Sequence, residues 1–151
     1  MCILTWVIKM KSSKDMLTSI LKTTQMGQIG IRSVLDTHVQ PGMRSALESQ
    51  LQEYDSIETQ ARSIASQRGW ELDEVDPAIR AMANMTTRMR VPKKYPDSKI
   101  ADMMIHGNTR GMIKSLKNLH RFNQQDPQVS AISQKLLDCE IANIKQMEAF
   151  L

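Results

Sequence analysis

Two short acidic patterns carry the residue types and spacing for chemistry: Asp55-x-x-Glu58 and Glu140-x-x-Asn143. Residues three apart on a helix project to the same side. Carboxylate di-iron bundles use this spacing, setting a Glu from each of two helices beside a Glu-x-x-His pair from each of the other two. Here both histidine positions lack histidine, and Gln28 and Asn108 stand where the remaining carboxylates would be needed. His106 lies two residues from Asn108, about 200° away around a helix, and makes a poor replacement. Asp55, Glu58 and Glu140 are the metal candidates, and three carboxylates suit a single hard cation better than redox-active iron.

The expected reading is therefore a site without metal or cofactor. Gln28, Asn108 and Asn143 form a polar core layer, in which amides satisfy the neighbouring carboxylates and fix the register of the helices. Elemental analysis is expected to find sub-stoichiometric iron, manganese and zinc.

A basic line offers a second chemistry. Arg110, Lys114, Lys117 and Arg121 are four, three and four apart and fall on one stripe of a helix. Such a stripe could bind phosphate, nucleic acid or an anionic membrane, with Arg80, Arg88, Arg90, Lys93 and Lys94 extending it. It has no interleaved aromatic residues, and four charges give only weak, salt-sensitive attraction, so a solvated outer face is the favoured reading. The charge is uneven along the chain: residues 1–75 hold 8 Lys and Arg against 9 Asp and Glu, and residues 76–151 hold 12 against 7.

The elements that must position these groups are helices. The 151 residues are 41% hydrophobic and 24% charged, the size and balance of one globular domain, with no apolar run long enough to span a membrane. Aromatic residues are only 4% and Met reaches 12, so Leu, Ile and flexible thioethers must fill the core. Strand formers never alternate over a useful length.

Four segments show helical periodicity. The first, from about residue 13 to 39, turns Leu17, Leu21, Thr24, Gln28, Ile31, Leu35 and His38 inward and stops at Gln40-Pro41-Gly42. The second, about 42 to 68, turns Leu47, Leu51, Tyr54, Glu58, Ala61 and Ala65 inward, and Gly69 closes it. The third opens at Asp97 or Ser98 as the cap and carries Ala101, Ile105, Asn108, Met112, Leu116 and Leu119. The fourth starts after the cap Asp126 and Pro127, with Val129, Ile132, Leu136, Cys139, Asn143, Met147 and Phe150 inside.

Residues 70–96 are too many for a turn and form a crossover between two antiparallel hairpins. The crossover carries a short helix with Ile79, Met82, Met85 and Met89 along one stripe. An offset of 85 lays Leu47, Leu51 and Tyr54 over Ile132, Leu136 and Cys139, a weak internal repeat of pattern. Residues 1–11 are an N-terminal extension, and residues 12–151 a single domain. Gly27, Gly30, Gly107 and Gly111 fall within helices at a cost of up to about 1 kcal/mol each, for which close helix approach is the expected reason and a gap for a ligand the second.

Met26-Gly27, the stretch from Leu47 to Tyr54, the stretch from Asp97 to Gly111, and Lys135-Leu-Leu-Asp-Cys-Glu140-Ile-Ala-Asn143-Ile resemble an uncharacterised family of small bacterial, clostridial-type proteins over residues 12–151. The resemblance implies a ferritin-like four-helix bundle with degenerate metal positions and carries no activity with it. A more distant similarity is to spore-coat-type members of the ferritin-like class.

The sequence therefore predicts an all-α, ferritin-like up-down four-helix bundle, not an enzyme, acting as a structural or interaction module. Its alternatives are metal binding through Asp55, Glu58 and Glu140, or weak binding of an anionic partner through the basic stripe. Self-association, as a dimer, is expected through Ile79, Met82, Met85 and Met89. Nucleic acid is not expected as a partner. With Cys2 and Cys139 at opposite ends and no secretory pattern, a reducing cytoplasm is the expected location.

Overall fold

The computed structural model describes residues 9–81 and 95–151, which include four long helices and no strand. They are α1 (Ser13–Leu35), α2 (Pro41–Gln67), α3 (Asp97–His120) and α4 (Pro127–Glu148). Residues 77–81 are also helical. Met82, Met85 and Met89 of the expected apolar stripe, the cations Arg88, Arg90, Lys93 and Lys94, and residues 1–8 of the expected extension lie outside the described residues. Among the described residues no helix is long and apolar enough to cross a membrane.

Local chemistry sets each boundary. Ser12 caps α1 reciprocally: its hydroxyl accepts from the Asp15 amide at 3.0 Å, and the Asp15 carboxylate accepts from the Ser12 amide at 3.1 Å. The helix stops at Leu35 rather than continuing to residue 39. The Thr37 hydroxyl donates to the Val34 carbonyl at 2.6 Å and Arg44 donates to the Leu35 carbonyl at 3.1 Å, which satisfies the helix end and frees Val39 to turn into the core. His38 is consequently exposed.

Pro41 opens α2. Its far end is a Schellman closure, in which the Gly69 amide reaches the Ser66 carbonyl and the Trp70 amide reaches Ala65, with Gly69 at φ +68°. Neither Asp97 nor Ser98 caps α3. Pro96 takes the cap position with no side-chain bond, because its locked φ already leads into a helix. Asp126 caps α4 as expected, accepting from the Val129 amide.

Hydrogen bonds between helices give their directions. Gln28 meets Glu58 and Arg32 meets Asp55, so α1 and α2 run antiparallel. The Ser19–Asn118 bond, with the Lys11 amide on the Arg121 carbonyl, sets α1 antiparallel to α3. Tyr54 meets Glu140, Gln50 meets Gln146 and Arg68 meets Asp126, so α2 and α4 are antiparallel. The closest partners are α1 with α2 and α3 with α4. By these relations α2 and α3 point the same way.

The core between them is aliphatic and thioether-rich, with Leu17, Leu21, Ile31, Met43, Leu47, Ile57 and Met147 fully buried. Inner lines on α2 and α4 lie where the periodicity puts them, except that Leu51, Glu58 and Phe150 are only half-buried. On α3 the line is rotated, so that Ser115 is buried and Leu116 is 40% exposed. Asp126 ties three helix ends together. It accepts from Arg68 at the end of α2 (2.9 Å) and from the Ser13 hydroxyl at the start of α1 (2.6 Å), and the Arg68 guanidinium holds its carboxyl far below the usual carboxylate range.

Candidate functional site

The polar groups expected to form one layer separate into two clusters with different chemistry. In the first, between α1 and α2, Gln28 donates to Glu58 Oε2 at 2.7 Å, and Arg62 clamps Glu58 Oε1 through Nε (3.1 Å) and Nη2 (2.9 Å). Arg62 also pairs with Glu74, which accepts from Gln25. Every oxygen of Glu58 is engaged, and this cluster is an ion-pair network at the bundle surface.

Asp55 points outward, half exposed and 3.7 Å from Arg32. Asp55, Glu58 and Glu140 thus do not converge, and among the described residues no three His, Cys, Asp or Glu side chains come together to hold an ion. His106 is exposed and turned back onto the Asp102 carbonyl.

The second cluster is buried and draws on three helices. Tyr54 on α2, Asn108 on α3 and Glu140 on α4 are 2%, 4% and 2% exposed. The Tyr54 hydroxyl oxygen lies 2.9 Å from Asn108 Oδ1 and 2.9 Å from Glu140 Oε1. Asn108 Nδ2 donates to the Met104 carbonyl at 2.9 Å, which fixes the amide with its oxygen toward Tyr54. A phenol has one proton, so it satisfies one of the two oxygens. Directed to Asn108, it leaves the Glu140 contact to be made by a proton on the carboxyl itself.

Burial supports that arrangement, pushing the Glu140 carboxyl up to about 7 against the smaller lowering effect of Tyr54. Tyr54 is likewise driven up, by burial first and by Glu140 second, and stays a neutral phenol. Asn143 lies one turn along α4, its Nδ2 3.7 Å from Cys139 Sγ. Burial pushes the Cys139 thiol up to about 12, so it is an inert core group.

The helical glycines explain why this cluster sits open to one side. A Cβ at Gly27 would stand 2.7 Å from the Tyr54 ring, and one at Gly111 would stand 2.7 Å from the Glu140 carboxyl carbon. These two glycines let α1 and α3 close on the cluster. At Gly30 and Gly107 a Cβ would meet nothing within 4 Å among the described residues. Close approach accounts for the first pair, and an open gap for the second.

The gap is a cleft of about 640 Å³ between α1 and α3, with Val75, Asp76 and Ile79 along one side. Tyr54, Asn108 and Glu140 line it together with Met26, Val34, Met103 and Met104. Glu140 Oε2 is buried, and among the described residues it has no hydrogen-bond partner.

Of the basic stripe, Arg110 and Lys114 line the cleft, joined by Lys22 from α1, while Lys117 and Arg121 are exposed and lie outside it. Since α1 and α3 are antiparallel, Lys22 and Lys114 share one end of the cleft, and Val34 and Met103 share the other. The protein around Lys114, with Lys11 and Lys22 nearby, holds its ammonium below the ordinary lysine value.

Sequence reasoning placed Tyr54 on an inner face but missed it as the centre of the cluster. The available signal was the phenol itself, because a tyrosine on a buried stripe needs a partner for its hydroxyl. Comparison of the chain with known families, with curated proteins and with solved structures finds no match.

Proposed function

We propose that this chain is a non-catalytic binding protein of ferritin-like helical order, whose cleft between α1 and α3 receives a small molecule. The helix directions support the ferritin-like order, because two antiparallel hairpins with α2 and α3 pointing the same way need a connection of bundle length between Gln67 and Asp97. The observation that carries the binding role is the cleft itself: mostly apolar, large enough for a drug-sized molecule, and lined by Glu140, whose buried carboxyl oxygen Oε2 has no partner among the described residues.

Degenerate metal positions agree with a role in binding. The ordered neutral set of Tyr54, Asn108 and Glu140 supplies shape and hydrogen bonding where a metalloprotein would supply charge. The clostridial-type resemblance belongs to the same reading and adds no activity.

Blocking the cleft tests it. The apolar dye 1-anilinonaphthalene-8-sulfonate should bind the folded protein with micromolar affinity, and a Gly30→Leu/Gly107→Leu variant, which fills open space, should bind it at least ten-fold more weakly while keeping its thermal midpoint. Unchanged dye affinity in that variant would overturn the proposal.

A further inference from the structure

Resting on that reading of the cleft, we infer that its ligand is an amphipathic acid: an apolar body, an anionic head at the lysine end, and a hydroxyl or amide donor a few bonds from the head that reaches Glu140.

The walls set the body. Gly30, Gly107, Val34, Met103 and Met104 offer carbon and open backbone, and the thioethers can adjust to a chain or a ring. The charges set the head. Lys22, Arg110 and Lys114 bring three cations to the cleft, and among the described residues none of them is in an ion pair. Two carboxylates also line it, but both are engaged. Glu74 is held by Arg62 and Gln25, and Asp76 caps the turn at 77–81 through the Ala78 amide at 2.7 Å. Burial first, and the nearby Lys11 and Lys22 second, disfavour the charged Lys114, and an anion beside it offsets both.

The floor sets the donor. With the Glu140 proton directed at Tyr54, Oε2 is a buried carbonyl-type acceptor with no partner among the described residues, on a side chain that lines the cleft. It cannot welcome a second acceptor, so the ligand must bring an O–H or N–H to it. Gly111, which touches the Glu140 carboxyl, is three residues from Lys114, about 4.5 Å along the helix axis. The donor must therefore lie close to the acid and not at the far end of the body. A site built around a hydrogen bond discriminates strongly against a ligand that cannot make it.

Three ten-carbon probes separate the parts, measured by isothermal titration calorimetry on the full chain at pH 6 and low salt. We expect 3-hydroxydecanoate to bind at least five-fold more tightly than decanoate, and decanoate at least ten-fold more tightly than 1-decanol. Lys22→Gln/Lys114→Gln should bring decanoate to within two-fold of 1-decanol. Glu140→Gln, which keeps an acceptor and can still donate to Tyr54, should preserve the preference for the hydroxyl, and Glu140→Met should erase it. Equal binding of 1-decanol and both acids would overturn the inference while leaving the cleft as a binding site. Equal binding of the two acids to the wild type would refute the donor to Glu140, whatever Glu140→Met does to folding. No heat with any of the three, together with unaltered dye binding in Gly30→Leu/Gly107→Leu, would defeat both readings.

Discussion

Tyr54 Oη sits 2.9 Å from Glu140 Oε1 while standing equally close to Asn108 Oδ1, so the phenol and the carboxyl share an arrangement that needs a proton on each. The contact joins α2 to α4 through groups almost wholly out of water. It makes the charge of Glu140 a matter of stability as well as of binding.

Glu140→Gln should stabilise the protein in alkaline solution. The carboxyl is pushed from 4.5 up to about 7, so between those values the folded state holds a proton that the unfolded state has released, and stability falls as pH rises across that window. The penalty is absent below about pH 4 and complete above about pH 7. A neutral glutamine escapes it, so thermal melts should show a gain of about 1–3 kcal/mol at pH 8 and none at pH 4. A gain of the same size at both values would contradict a neutral Glu140.

Tyr54→Phe should cost about 1–3 kcal/mol, because it strands Asn108 Oδ1 and the Glu140 proton without removing any apolar surface. Chemical denaturation measures it. A neutral result would mean that water replaces the phenol at no cost.

The four helical glycines should divide by their surroundings. Gly30→Ala and Gly107→Ala add a methyl to open space and gain helix propensity, so each should stabilise by up to about 1 kcal/mol. Gly27→Ala and Gly111→Ala place a methyl 2.7 Å from the Tyr54 ring and the Glu140 carboxyl, and should destabilise by about 1–3 kcal/mol despite the same propensity gain. Four variants of one sign in urea melts would refute the division.

Asp126 should matter more than an ordinary helix cap. Asp126→Ala removes the cap of α4 and the ties to Arg68 and Ser13, and should cost about 2 kcal/mol at pH 7, the upper end for a cap. Because Arg68 holds the carboxyl below its ordinary value, its contribution is present above about pH 4 and is lost as pH falls through the folded-state value. The difference between wild type and variant should therefore narrow below pH 4.

Much of this arrangement was legible from residue spacing. Leu47, Ala61 and Ala65 on α2, and Val129, Ile132, Leu136 and Met147 on α4, are buried where a 3.6-residue period puts them. Gly69 and Pro127 mark helix ends through backbone chemistry that needs no tertiary information. Leu116 and Ser115 exchange the expected positions because rotation of α3 is set by what packs against it, here the approach of Gly111 to Glu140. Glu58 and Glu140 read alike as inner carboxylates. Their difference comes from Arg62 one turn from Glu58 and from the absence, among the described residues, of any ion pair to Glu140, and only the second is a tertiary fact. The cleft was the least legible feature, since Gly30 and Gly107 look the same in sequence as Gly27 and Gly111.

The most direct measurement of the central claim is a pH titration of the Glu140 side-chain carboxyl by carbon-13 NMR, with and without an amphipathic acid such as 3-hydroxydecanoate. A neutral carboxyl at the floor of an anion-binding cleft should titrate near pH 7 in the free protein, because burial dominates its environment. Filling the cleft should raise that midpoint, because an anion nearby disfavours a second negative charge. A midpoint near the ordinary 4.5 that the ligand does not move would contradict the account.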